Sequence, residues 1–225
     1  DGDWSSDVCS SDLPDNALGG GTDFVTVVTQ VVVDPADPAF DDPTKPVGPW
    51  YTAAEAARAP FETRRVGEGE RAHRRVVPSP EPVDVVEGEE VAELVDAGSR
   101  VVCAGGGGVP VVRDGGLRGV EAVVDKDRTS ALLAGIVGAD LLVSLTDVPH
   151  AFVDYGGPGE RALHEVDPET LRGHLEAGEF GAGSMRPKVE ACLAFVEEGG
   201  GRAVIAERDA LAAAPAGEAG TQLRP

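Results

Sequence analysis

Between Phe24 and Val33 the chain reads FVTVVTQVVV, β-branched and apolar on both faces. That pattern predicts one buried strand, ended by Asp34-Pro35. Pro35, Pro38, Pro43, Pro46 and Pro49 then make residues 35–50 a constrained loop with little regular hydrogen bonding. Thr52 can cap a short helix over Ala53–Arg58. From Arg64 to Glu87 the chain is charged and punctuated by proline, as expected of short strands crossing a surface. Val91, Leu94 and Val95 recur at helical spacing in Glu89–Ala97, and Gly98 closes that helix. Arg100–Ala104 is a short buried strand running into four glycines, and Gly119–Val124 is extended. Leu132, Leu133, Ile136 and Val137 give a helix over Asp127–Gly138 its apolar face. Asp140–Thr146 is a strand, and Ala151–Tyr155 starts a hairpin. Pro168–Glu176 and Pro187–Glu198 are helices, the second with Ala191, Cys192, Phe195 and Val196 inward, and Ala203–Ala206 is the last strand.

Strand, glycine loop, helix, strand, repeated, is the grammar of an open α/β sheet with helices on its faces. Asp1–Leu13 (DGDWSSDVCSSDL) has neither period, and residues 1–21 read as a non-native or disordered leader. The remainder divides into residues 22–99 and 100–225.

The net charge is −21, with a sequence pI near 4.4. Such a surface repels nucleic-acid phosphates and anionic membranes, which argues against DNA, RNA or lipid as partner. Cys9, Cys103 and Cys192 are widely spaced and match neither a disulfide framework nor a zinc site. No apolar run approaches the roughly 18 residues that span a bilayer, and no secretory signal pattern is present. The expectation is a cytoplasmic protein.

Within this acidic chain the nineteen basic residues are sixteen arginines and three lysines, and all three lysines lie in Gly-, Pro- or Asp-framed sequence. Lysine is a compact, mobile point charge where arginine is a rigid fork. Lys126, between Asp125 and Asp127, is either part of a solvated ion cluster or reaches a transferring phosphoryl group, with Asp127 orienting the lysines. Lys188 follows Gly183-Ser184-Met185-Arg186-Pro187 at a helix start that Ser184 can cap. Its ammonium opposes the helix dipole there, so it either extends to solvent or is held toward an anion. Gly105–Gly108 end a strand, where a backbone free of Cβ atoms is either a flexible turn or an oxyanion loop.

These motifs, taken in order, resemble carbamate kinase, of the amino-acid-kinase superfamily, over residues 22–220. They are VVTQVVVDPADPAF (27–40), DPTKPVGPWY (42–51), RRVVPSPEPVDVVE (74–87), GGGGVPVV (105–112), GVEAVVDKD (119–127), LTDV (145–148) and GSMRPKVEA (183–191). The resemblance implies an αβα sandwich with a mostly parallel open central sheet. It also implies reversible phosphoryl transfer between ATP and carbamate, giving carbamoyl phosphate and ADP with Mg²⁺. In the family this makes ATP in arginine fermentation, usually as a homodimer.

Carried over by position, Lys126 and Lys188 stabilise the transferring phosphoryl and Asp127 organises them. Lys45, on a protruding Pro-rich subdomain within residues 22–99, closes over the small substrate, which Gly105, Gly106, Gly107 and Gly108 contact. Thr146, Asp147, Tyr155 and Met185 line the nucleotide pocket of residues 100–225. His73, His150, His164 and His174 match no family role. The family's first strand and Gly-Gly-Asn loop have no counterpart, since Asn16–Gly20 lacks an apolar strand ahead of it. The expectation is therefore an N-terminally truncated, impaired or inactive carbamate kinase. The alternative is a non-catalytic nucleotide-binding or subunit-interaction protein of the same fold.

Overall fold

A computed structural model describes residues 24–181 and 185–225. The leader, the Asn16–Gly20 stretch and the Ser184 cap fall outside them. The first half contains β1 (Phe24–Thr26), β2 (Gln30–Val33), β3 (Lys45–Thr52), α1 (Ala53–Ala56), β4 (Thr63–Arg65), β5 (Arg71–Val77), β6 (Pro82–Val85) and α2 (Gly88–Asp96). The second contains β7 (Arg100–Val102), β8 (Val109–Arg113), β9 (Leu117–Gly119), α3 (Lys126–Ile136), β10 (Leu141–Thr146), β11 (Ala151–Val153), β12 (Arg161–Leu163), β13 (Glu165–Val166), α4 (Pro168–Glu176), α5 (Met185–Glu197), β14 (Arg202–Glu207) and β15 (Thr221–Leu223).

The architecture is the expected layered α/β one. Parallel ladders β1–β7, β2–β8, β10–β14 and β13–β15 carry the body, while β6, β9 and β15 join it antiparallel and β11–β12 form the hairpin. Two local expectations are corrected. FVTVVTQVVV forms two strands in different sheets, because Thr29 turns inward between them. The Thr29 hydroxyl donates to the Val27 carbonyl at 3.1 Å and accepts from the Ala104 N–H at 2.8 Å. Val28 is left largely exposed. The proline-rich loop also ends in a strand, β3, which carries Pro46 and Pro49. It is tolerated because β3 lies at the edge of the separate antiparallel sheet β3–β5–β4, with a register break between Val47 and Trp50. Thr52 and Glu55 close a reciprocal capping box on α1.

The core lies around β14. Ala203 and Ile205 face one cluster with Leu171 of α4 and Val189, Cys192 and Phe195 of α5, while Val204 and Ala206 face another with Ala214. Each fully buried side chain such as Leu171 contributes about 1.5–3 kcal/mol. With Phe195 and Val196 also buried, α5 is held over much of its circumference, which fixes the helix that carries Lys188. Among the described residues no helix is long and apolar enough to cross a membrane.

Candidate active site

The N-terminus of α3 is the centre of the arrangement. Asp125 is its N-cap, its Oδ1 accepting from the Asp127 N–H at 2.9 Å. Thr129, fully buried one turn along, donates to the Gly107 carbonyl at 3.0 Å and ties the helix to the glycine loop. That loop enters through Ala104 at φ 52°, a left-handed conformation unfavourable for a residue with a Cβ. A Cβ on Gly107 would lie 2.1 Å from the Val124 carbonyl oxygen, and one on Gly108 would lie 2.4 Å from Val31 Cγ2. Glycine is required at both positions by contact, so the loop is a fitted turn rather than a free one.

Asp127 lies between two lysines. Its Oδ1 accepts from Lys188 Nζ at 2.9 Å, and its Oδ2 is 3.5 Å from Lys126 Nζ. Ser144, on β10, donates to Asp127 Oδ1 at 3.3 Å and accepts from Lys188 at 3.4 Å. The two lysines differ in setting: Lys188 is 5% exposed, whereas 64% of the Lys126 side chain faces solvent. Of the two alternatives for Lys188, extension into solvent is excluded, and its ammonium is turned inward onto the Asp127 carboxylate. Both lysines, Asp127, Ser144 and Gly106 line one cleft of about 360 Å³, with Cys192 also on its wall. Burial, with the Asp127 charge nearby, pushes the Cys192 thiol up to about 12, so it is an inert wall group rather than a nucleophile.

Lys45 reaches in from the edge of the three-stranded sheet, its Nζ 2.6 Å from Asp125 Oδ2. Burial opposes ionisation of Asp125, but Lys45, the Asp127 N–H and Lys126 outweigh it and hold the carboxyl below its usual range. Lys45 does not line the cleft itself. Of the four glycines, Gly106 does, while Gly107 is buried.

A second cavity, of about 270 Å³, is lined by Thr146, Asp147, Tyr155 and Met185 together with Val148, Phe152, Glu179 and Phe180. It adjoins the first along two elements. β10 gives Leu142–Leu145 to the lysine cleft and Thr146 to this pocket, and α5 gives Lys188 to one and Met185 to the other. An apolar pocket with a few polar groups, next to a cleft with paired ammoniums, suits a planar base carrying an anionic tail. Asp147 forms an ion pair with Arg208 at the pocket margin.

Sequence reasoning missed Ser144 and Asp125 as partners of these lysines. Ser144 had a signal: it is the one polar residue within the apolar run Leu141–Leu145 of a strand otherwise suited to burial. Asp125 stood within the motif, but only Asp127 had been assigned a role.

The sequence matches the amino acid kinase family over residues 48–207. The chain belongs to that family. Within it, the proteins it resembles are carbamate kinases: that of Halobacterium salinarum is 50% identical over 203 residues, covering 89% of this chain and 66% of the relative. That of Pyrococcus furiosus is 48% identical over 204 residues, covering 89% of this chain and 65% of the relative. The solved carbamate kinase from Giardia lamblia bound to AMP-PNP superposes with a TM-score of 0.82 at 39% identity, covering 91% of this chain and 66% of that one. The chain therefore spans just under two thirds of the length of these relatives.

Proposed function

We propose that the protein of which this sequence is representative is a carbamate kinase, transferring a phosphoryl group reversibly between ATP and carbamate. The observation that supports this most is the pair of ammoniums, Lys126 and Lys188, on the two oxygens of one carboxylate beside an apolar pocket. The base rests among Phe152, Tyr155 and Met185, and its phosphates run along β10 toward Lys188. A carbamate oxygen attacks the γ-phosphorus with its lone pair. The bond from that phosphorus to the β–γ bridging oxygen breaks, and ADP leaves with the electron pair. Such transfer involves little covalent work by the protein, so fixed positive charge and alignment provide most of the rate. Lys126 and Lys188 carry that charge, Asp127 orients them, Gly106 of the glycine loop faces the carbamoyl group, and Lys45 moves from Asp125 to the substrate.

Among the described residues no three His, Cys, Asp or Glu side chains converge to hold a metal. Mg²⁺ fits this site as the nucleotide's companion, bound mainly by phosphate oxygens and water, where it would neutralise phosphate charge. The homodimer, the cytoplasmic location and the supply of ATP from arginine degradation belong to the same proposal.

The test is ATP formation from ADP and carbamoyl phosphate by this chain, with glutamate and UMP as control acceptors in the reverse direction. Lys126→Ala is expected to reduce turnover by about 10²–10³-fold, the loss typical of one electrostatic donor. It should leave the melting temperature nearly unchanged, since the side chain is mostly exposed. Nucleotide binding without turnover in a chain of the relatives' full length would instead favour a non-catalytic binding protein of the same fold.

A further inference from the structure

We infer that Arg128, acting through Glu190, is a positioning residue that sets where the Lys188 ammonium stands. α3 and α5 pack side by side and are joined by two ion pairs near their N-termini. Asp127 takes Lys188 at 2.9 Å, and Arg128 Nη2 donates to Glu190 Oε2 at 2.8 Å. The order of charge is opposite on the two helices: acid before base on α3, base before acid on α5. One register satisfies both pairs, and a slide that brought Glu190 to Asp127 would set like charge on like.

Burial of Val189, Cys192 and Phe195 holds α5 against α4 and β14, and along its seam with α3 the ion pairs add resistance to sliding. Beside Arg128 and Glu190 lies a cavity of about 350 Å³ lined by Ala131, Ala191 and Ala194, whose short side chains interlock weakly along the helix axes. The ion pair is well placed to resist sliding there. Arg128 and Glu190 side chains are only 28% and 22% exposed, which limits screening by solvent and salt. The guanidinium fork is rigid, and its other terminal nitrogen is paired with Glu81, just ahead of β6. Glu190 is in turn held by Arg186 Nε at 2.8 Å, one turn earlier on α5. The chain Glu81–Arg128–Glu190–Arg186 therefore runs from the β6 side of the body across α3 to the first turn of α5, where Lys188 lies. Burial opposes ionisation of Glu190, but Arg128 and Arg186 hold its carboxyl below the usual range, which keeps the Arg128–Glu190 link charged.

Only the activity arm of the test rests on the kinase reading. In the first arm this chain, Arg128→Met, Arg128→Lys and Glu190→Gln are treated with a small amine-acylating reagent. Modification of Lys188 is followed by peptide mass spectrometry, with Lys45 and Lys126 as internal references. Arg128→Met and Glu190→Gln are expected to raise the Lys188 rate several-fold relative to Lys126, and Arg128→Lys to restore part of the protection. Glu190→Gln keeps shape and removes charge, so it carries this arm if Arg128→Met does not fold, as judged by circular dichroism. In the second arm, kcat for ATP formation falls by up to about 10²-fold, the cost of roughly 1 Å of misplacement. KM for ADP changes little, because the nucleotide pocket is lined by other residues. Unchanged Lys188 labelling in both Arg128→Met and Glu190→Gln overturns the brace whatever the turnover does. Altered Lys188 labelling in variants whose kcat matches that of the unmodified protein upholds the brace and counts against the kinase role of Lys188 instead.

Discussion

The Asp127–Lys188 pair allows a quantitative test of how the site is held. Lys188 and Asp127 side chains are 6% and 12% exposed and lie 2.9 Å apart. At that distance and an effective dielectric of 20 the attraction is about 6 kcal/mol, but removing both charges from water cancels much of it. The pair as a whole is then worth little over an apolar replacement, whereas removing one partner costs about 3–5 kcal/mol. The two halves should not cost the same. Asp127→Asn leaves Lys188 with the Ser144 oxygen at 3.4 Å as its neighbour. Lys188→Met leaves Asp127 with Lys126 at 3.5 Å and the Ser144 hydroxyl at 3.3 Å. Asp127→Asn is therefore expected near 3–5 kcal/mol, Lys188→Met nearer 1–3 kcal/mol, and the double variant close to the unmodified chain. In a chain of this size about 2–4 °C of melting temperature accompanies each kcal/mol, so Asp127→Asn should melt on the order of 10 °C lower. Urea or thermal unfolding of the four proteins gives the coupling directly. Losses that simply add, or an Asp127→Asn protein no less stable than Lys188→Met, would refute the reasoning. All three variants should be inactive as kinases, so stability recovered in the double variant would separate the structural from the chemical role of the pair.

Two further outcomes follow from the same geometry. Gly107→Ala sets a Cβ 2.1 Å from the Val124 carbonyl at φ 102°, so it should cost at least about 1–3 kcal/mol in a denaturant melt. A Gly107→Ala protein of unchanged stability would show that the loop is not fitted as described. Burial, with the His164 ring at 4.5 Å, holds the His150 imidazole below its usual range. The unfolded chain then binds the proton more readily. The contribution is complete above an unfolded pKa of about 6.5 and is lost as pH falls through the lower folded value. Melting temperature followed from about pH 7 to about pH 5 should fall more steeply for this chain than for His150→Gln, and equal slopes would exclude the effect.

What could be read from the sequence was what depends on local periodicity. α4 runs Pro168–Glu176, as its proline start and apolar spacing suggest, and α5 buries Ala191, Cys192, Phe195 and Val196. What could not be read depends on partners distant in the chain. Thr29 looks like any strand threonine until Ala104, seventy-five positions away, donates to it and divides the strand. Pro46 and Pro49 argue against a strand, and only their place at a sheet edge makes one possible. β15 is three residues long, with buried Thr221 and Gln222 that no apolar pattern marks. The same division runs through the site. Residues 125–127 and 188 could be picked out by type and framing, but the inward turn of Lys188 follows from Asp127 sixty-one positions earlier, and sequence spacing does not encode it.

That inward turn bears on how a protein of net charge −21 can receive an anion at all. Three ammoniums brought together without carboxylates would repel one another and swing into solvent. Here each is on or near an acid: Lys45 on Asp125, Lys126 and Lys188 on the two oxygens of Asp127. Three positive charges over two negative ones leave the local balance positive within an acidic molecule, and the acids fix where those charges point. Lys126 and Lys188, set on Asp127 before a ligand arrives, do not have to be reorganised afterwards, which is the condition under which electrostatic stabilisation is strongest. Asp125 and Asp127 thus set where the lysines stand, and exchanging them for neutral residues would disperse the ammoniums rather than strengthen their field.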